Sequence, residues 1–308
     1  MSKAYNFIRP IGPIRPISPI TLISPIGPIS PISPILKALN NNGKQYKHTN
    51  TACFNPHQSR RSRVEDEAQL QRLLTDFAHI PGHKVLVHGG GRRATKVAAA
   101  LGIESKMVNG RRITDEHMLE VVTMVYGGLV NKQLVARLQA LGINALGLTG
   151  ADMNVMHSHR RPIKDGIDYG FVGDVDHADG RMLATLIAEG VTPVMAPLTH
   201  DGEGHMLNTN ADTIAAETAK ALAPYFDVTL VYCFEKAGVL ANADDDTSVI
   251  PHINRDAFER LTADGTIAGG MIPKIENALT AVEKGVKQVR ITSADSLGSP
   301  NSGTVVMI

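Results

Sequence analysis

Five short polar segments hold the residue types that grip anions, and each lies where an apolar run ends or a helical pattern begins. The first is His88-Gly89-Gly90-Gly91, between the apolar run His83 to Val87 and the helical pattern Arg92 to Leu101. Glycines without Cβ atoms let backbone N–H groups converge, and the helix start behind them adds partial positive charge, so phosphate or carboxylate fits there. The second, Asn109-Gly110-Arg111-Arg112-Ile113-Thr114, presents two guanidinium groups before a helix that Thr114 or Asp115 can cap. A guanidinium there suits a two-pronged grip on a carboxylate. In Leu207-Asn208-Thr209-Asn210-Ala211-Asp212, amide or carboxyl groups recur at alternate positions after a Gly-rich, hairpin-like turn. One such residue is a helix cap; three facing one loop are more than capping requires. Gly269-Gly270-Met271-Ile272-Pro273-Lys274 repeats the glycine-then-helix theme, with proline in a favoured first-turn position. Lysine is disfavoured by the dipole at a helix start, so Lys274 is there to meet an anion. The fifth is the loop after Val231, with Lys236 and Gly238, a turn suited to the nucleotide side.

The elements that position these segments alternate with short connections. Strands are expected over His83 to Val87, Ile143 to Leu148, Val191 to Ala196, Val228 to Cys233 and Lys287 to Ile291. Helices are expected over Met118 to Leu141, Leu183 to Ala188, Asp212 to Leu222, Arg255 to Leu261 and Pro273 to Lys284, and Leu70, Leu73, Leu74 and Phe77 mark the apolar face of another. The fold class is α/β, a three-layer α/β/α sandwich around a mainly parallel open sheet, where ligands collect at the carboxyl ends of the strands.

Charge divides the chain in two. Residues 1–63 hold nine Lys/Arg and no Asp/Glu, leaving 22 Lys/Arg against 30 Asp/Glu, a net of −8, on residues 64–308. An acidic body argues against nucleic acid as the main partner. Two cysteines, Cys53 and Cys233, make neither a disulfide framework nor a metal pattern, as suits a reducing cytoplasm. No apolar run is long enough for a membrane span. From Pro10 to Pro34 proline recurs every third residue, missing only at Leu22. Residues 1–63 are therefore expected to be a basic, Pro/Ile-rich leader in polyproline II or disorder, excluded from helix and from central strand, with the globular domain over 64–308.

Taken in order, HGGGR, NGRRIT, GLTGAD, LNTNADTIA and GGMIPK resemble the N-acetylglutamate kinases of the amino-acid kinase family, from about Val64 to the C-terminus. The resemblance implies transfer of the γ-phosphoryl group of ATP, with Mg2+, to the side-chain carboxylate of N-acetyl-L-glutamate or N-succinyl-L-glutamate in arginine biosynthesis. It implies an N-terminal half for the acylglutamate and a C-terminal half for ATP. By the same resemblance Gly90 and Gly91 hold substrate and transferring oxygens, and Arg112 and Asn208 bind the acylglutamate. Lys274 neutralises charge on the ATP side and Asp212 holds the lysines in place. Lys236, Gly238, Gly269 and Gly270 face the nucleotide. Relatives acting on aspartate, glutamate or nucleoside monophosphates are the alternative within the family, and a binder without turnover is the alternative outside catalysis.

One family feature is missing. Members begin with a strand ending Lys-(Val/Leu)-Gly-Gly, whose lysine is a second cation on the transferring group; here the place before Val64 reads His57-Gln58-Ser59-Arg60-Arg61-Ser62-Arg63. Loss of that strand is expected to leave an unpaired sheet edge and to depress turnover severely. Codons compatible with Phe54 to Arg63, read one nucleotide later, encode Leu-Ile-Leu-Ile-Lys-Val-Gly-Gly-Ala-Val, so residues 1–63 read as a wrong-frame segment. The proline spacing excludes the extra N-terminal helix of arginine-inhibited members, which leaves a homodimer without arginine feedback as the expected assembly. No metal site is expected, because His157 and His159 have no carboxylate or cysteine in a recognisable ligand pattern. Asp244 to Asp246 read as a solvated loop.

Overall fold

A computed structural model describes residues 19–24, 60–108, 111–234, 236–242, 244–269, 271–299 and 301–308. Its strands, in chain order, are β1 (Pro19–Ser24), β2 (His83–Val87), β3 (Met107–Val108), β4 (Arg111–Arg112), β5 (Ala145–Leu148), β6 (Met156–Arg160), β7 (Gly173–Ala178), β8 (Thr192–Met195), β9 (Leu198–His200), β10 (Met206–Asn208), β11 (Asp227–Phe234), β12 (His252–Ile253), β13 (Gln288–Ser293) and β14 (Thr304–Val306). The helices are α1 (Arg60–His79), α2 (Gly91–Ala100), α3 (Glu116–Val122), α4 (Asn131–Ala140), α5 (Gly180–Ala188), α6 (Ala211–Leu222), α7 (Arg255–Ala263) and α8 (Met271–Glu283).

Eight strands form one sheet in the order β12-β14-β13-β11-β1-β2-β8-β5, parallel throughout except for β13 against β14. Alternation along each strand feeds two cores. Val85 and Val87 of β2 join Leu230 of β11 and residues of α5, α6 and α8 on one face. Leu86 and Val231 meet Leu73, Leu74 and Phe77 of α1 and residues of α2 to α4 on the other. This is the expected three-layer sandwich, and the five expected strands and the apolar face of α1 are all present.

The leader corrects the reading of the sequence. Pro19–Ser24 is a central strand, paired with β11 from Pro19↔Asp227 to Ser24↔Tyr232 and with β2 from Ile20↔His83 to Ile23↔Leu86. The break in the proline repeat at Leu22 is the physical reason: Ile20 to Ser24 keep five consecutive N–H donors, and Pro19 takes the first position, where a strand tolerates proline. The sheet therefore has no gap beside β2. The expected boundary at residue 63 also shifts, because α1 begins at Arg60 and runs across it. Residues 1–18 and 25–59 lie outside the described residues.

A second, four-stranded sheet, β10-β9-β6-β7, was not expected from the sequence. Its strands are short and polar, as in Met156–Arg160 with two histidines, and carry too little apolar alternation to be read. The expected helix from Met118 to Leu141 is α3 and α4 joined by a π-helical segment, Thr123–Val130.

Candidate active site

The glycine loop follows the carboxyl end of β2 and the Lys236–Gly238 loop that of β11, while Asn208 ends β10 just before α6 and Lys274 stands on the first turn of α8. Gly90 precedes the first residue of α2 and offers no side-chain cap; its carbonyl accepts from the Ala94 N–H at 2.9 Å. The absence of a side chain at Gly90 is forced, since an added Cβ would lie 2.6 Å from Tyr126 Cδ1, and Tyr126 is buried. Gly90→Ala is expected to destabilise the fold by about 1–3 kcal/mol through overpacking, a loss that urea unfolding of the purified variant will register.

Arg112, buried on β4, fastens the glycine loop to its surroundings. Its Nη2 donates to Gly91 O at 3.0 Å and to Thr95 Oγ1 at 2.9 Å, and its Nη1 donates to Ser105 Oγ. The outer edge of the guanidinium is thus engaged with protein, so Arg112 braces the loop as well as supplying charge. Burial raises the Tyr126 hydroxyl pKa, and the Arg112 charge and hydrogen bond oppose that rise. Arg111 beside it is exposed; Asn109 and Gly110 lie outside the described residues.

Further contacts tie the segment after Arg112 to the start of α6. Two residues on, Thr114 Oγ1 accepts from Asn208 Nδ2 at 2.9 Å, across 94 positions of sequence. Asn208 ends β10, and Asn210 caps α6, accepting from Asp212 N–H at 2.8 Å and Thr213 N–H at 3.1 Å. Of the three alternate groups, Asn210 is therefore the cap. Asp212 O accepts from Tyr232 Oη at 3.3 Å, and burial, then the charges of Asp212 and Glu217, push the Tyr232 hydroxyl well above its usual range. Tyr232 stacks on Phe234 at 6.0 Å, and the Lys274 ammonium stands 3.9 Å from the Phe234 ring centre. Gly91 is thus tied to Arg112, Asn208 to Thr114, and Asp212 through Tyr232 to the Phe234 ring on which Lys274 stands.

The nucleotide-side residues are more spread. Lys236 lies on the loop after β11, with its Nζ 2.5 Å from Asp246 Oδ1. Gly238 is buried where an added Cβ would meet Val249 Cγ1 at 2.7 Å and Thr304 Oγ1 at 2.9 Å. Gly269 has φ of +56°, a left-handed turn that suits glycine. Gly270 lies outside the described residues.

Sequence reasoning missed His88, Asn131 and Tyr126 as parts of the site. His88 is fully buried, and burial, the dominant cause, lowers its pKa to about 4. In the unfolded chain the ring protonates below its ordinary value of 6.5, and in the folded chain only near 4. Stability is therefore complete above about pH 6.5 and falls as pH drops towards 4, where the loss from this one group reaches about 3 kcal/mol. Urea unfolding at a series of pH values is expected to show that decline in the native chain and to show it flattened by that amount in His88→Asn.

Two histidines expected to lack a carboxylate share one. Asp176 lies 3.3 Å from His157 Nδ1 and 2.6 Å from His159 Nδ1. The register shifts between His157 and Ser158, so Asp176 is the extra residue of a bulge, and a bulge re-aims its side chain. Asp201, Glu203 and His205 bring ligand-type atoms within 4.8 Å of one another. Hydrogen bonds inside the hairpin account for that approach: Asp201 accepts from Glu203 N–H at 2.8 Å and meets His205 Nδ1 at 2.7 Å.

Helices on both faces of a mainly parallel sheet, with a glycine loop between β2 and α2, set the fold class, and residues 62–293 match the amino acid kinase family. The chain belongs to that family. Within it, the chain is 68% identical over 241 residues to the acetylglutamate kinase of Bacteroides thetaiotaomicron, covering 78% of this chain and 93% of the relative. It is 65% identical over 243 residues to the acetylglutamate kinase of Phocaeicola vulgatus, covering 79% and 94%. Among solved structures, N-acetylglutamate synthase from Neisseria gonorrhoeae, complexed with coenzyme A and N-acetyl-glutamate, aligns with a TM-score of 0.67 at 20% identity, covering 94% of this chain and 59% of that one. Carbamate kinase from Giardia lamblia aligns at 0.58 and 15% identity, covering 94% and 97%. These two likenesses speak for the fold. No helix among the described residues is long and apolar enough to cross a membrane.

Proposed function

We propose that the chain transfers the γ-phosphoryl group of ATP to the side-chain carboxylate of N-acetyl-L-glutamate, giving N-acetyl-L-glutamyl 5-phosphate, a step of arginine biosynthesis. The observation that carries this reading is that Arg112 holds Gly91, Asn208 holds Thr114 two residues after Arg112, and Asp212 meets Tyr232, whose neighbour Phe234 carries Lys274. It supports an acidic acceptor beside Arg112 and Asn208 and a phosphate tail beside Lys274. Such a transfer needs little covalent help and depends on alignment and on charge around the equatorial oxygens. Gly90 and Gly91 N–H groups meet the transferring oxygens, and Arg112 and Asn208 orient the acylglutamate. Lys274 carries the positive charge on the ATP side, Asp212 orients the cations, and Lys236, Gly238, Gly269 and Gly270 border the nucleotide. The donor set is mostly amides and cations with one carboxylate, Asp212, which fits Mg2+ carried mainly by the phosphates. When bound, that ion neutralises charge on the β- and γ-oxygens.

The same reading places the enzyme in the cytoplasm as a homodimer, to be checked by sedimentation. The curated relatives above are named for acetylglutamate, and no observation favours the succinyl substrate. A coupled ADP-release assay with ATP, Mg2+ and either acylglutamate tests the proposal. ADP release that depends on N-acetyl-L-glutamate is expected; calorimetric binding of N-acetyl-L-glutamate with no ADP above background would replace the kinase by a binder.

A further inference from the structure

The residue before the glycine loop is a histidine closed off from solvent. His88 Nε2 lies 3.1 Å from Asn131 Nδ2, and His88 Nδ1 lies 2.7 Å from Gly89 O. The same Asn131 nitrogen is 2.9 Å from Val194 O, a carbonyl that can only accept. The Asn131 group facing both partners is therefore NH2, and one of its protons goes to His88 Nε2. With Nε2 accepting, the neutral ring carries its proton on Nδ1 and donates it to Gly89 O. In a trans peptide the C=O and the following N–H point in opposite directions. Fixing Gly89 O beside His88 therefore turns the Gly90 N–H away from it. Among the described residues, no backbone carbonyl accepts from the Gly90 N–H.

The π-helical segment brings Asn131 to this place. Asn131 N–H bonds to Tyr126 O, five residues back, so the two side chains sit one above the other. At 3.6 residues per turn they would be rotated apart by about 140°. Tyr126 thus lies against Gly90 while Asn131 reaches His88. Gly147 on β5 leaves room for the amide, since a Cβ there would come 1.8 Å from Asn131 Oδ1. That Oδ1 is buried without a partner, so Val194 O and His88 alone orient the group.

We propose that His88, held as the Nδ1–H tautomer by Asn131, is a positioning residue that turns the Gly90 N–H away from the buried ring and leaves it to meet an anion. This rests on Gly90 as an anion donor in the kinase reading. The tautomer itself does not, and burial keeps the ring neutral at physiological pH.

The test uses the full chain labelled with ¹⁵N at histidine and glycine. The expected His88 spectrum has a protonated-type Nδ1 and an unprotonated-type Nε2 that persist to pH 5; an Nε2–H tautomer overturns the proposal whatever the enzyme does. His88→Asn keeps a donor near the Nδ1 position, whereas His88→Gln moves it to the Nε2 position. The expected kcat loss is about 100-fold for His88→Gln, with little change in KM for N-acetyl-L-glutamate, and kcat is largely restored in His88→Asn. Equal kcat in the native chain and both variants overturns the proposal. If the native chain shows no turnover, the Gly90 amide resonance decides: displacement in His88→Gln but not in His88→Asn supports the positioning role, and no difference refutes it. A native Gly90 amide that ignores both ATP and N-acetyl-L-glutamate defeats the anion-donor reading separately.

Discussion

Replacing Phe54 to Arg63 with Leu-Ile-Leu-Ile-Lys-Val-Gly-Gly-Ala-Val is expected to raise turnover by about 100- to 1,000-fold over the chain as written. The reasoning begins with β1. Pro19–Ser24 fills a central place in the sheet, and none of its six residues is a cation. The fold thus closes, yet the carboxyl end of its central strand supplies no positive charge for the transferring group. Such a donor, preorganised in a site that excludes water, stabilises a transition state by about 3–4 kcal/mol. The replacement offers a strand of continuous apolar residues, which suits a central place in a parallel sheet better than one that opens with proline. It should therefore displace Pro19–Ser24 and carry its lysine to the cleft. ADP release at saturating ATP and N-acetyl-L-glutamate measures the gain, and the same replacement with alanine for the lysine separates the cation from the strand. Equal turnover in all three chains would show that the missing lysine is immaterial. The encoding DNA gives a second check, since the wrong-frame origin of residues 1–63 requires a single-base shift that restores Lys-Val-Gly-Gly.

The sandwich was legible because buried parallel strands are short apolar runs, as at His83–Val87 between Gly82 and Gly89 and at Val228–Cys233. Loop chemistry was legible for a similar reason: the glycine loop, Asn208 to Asp212 and Gly269 to Lys274 are each local in sequence. What escaped was everything made by long-range pairing. Asn131 and His88 are 43 positions apart, and nothing in either segment announces the other. At the ordinary 3.6 residues per turn, Tyr126 and Asn131 read as residues on different faces. The proline tract misled for the opposite reason. Its repeat is so regular that the one missing proline, at Leu22, carried more structural information than the eight present from Pro10 to Pro34.

Lys274→Met is expected to lower kcat by about 100- to 1,000-fold while leaving KM for N-acetyl-L-glutamate nearly unchanged. The side chain stands on the first turn of α8, where the helix dipole opposes a cation, and its ammonium is 3.9 Å from the Phe234 ring centre. A cation–π contact at a partly exposed site contributes about 0.5–1 kcal/mol, enough to hold the side chain in place and far too little to explain its purpose. The stronger attraction arises only when a triphosphate tail develops charge beside the ammonium. Methionine keeps the length and the apolar contact with Phe234, so the fold should survive and circular dichroism should be unaltered. Arg112 and Asn208 stand on β4 and β10, not on α8, which is why acceptor binding should be spared. A rise in KM for N-acetyl-L-glutamate with kcat intact would move Lys274 to the acceptor side, and unchanged kinetics would reduce it to a structural partner of Phe234. If Lys274 instead serves the transition state, arginine at the same position should recover part of the loss, because it restores charge while its broader head fits the point-charge role less well.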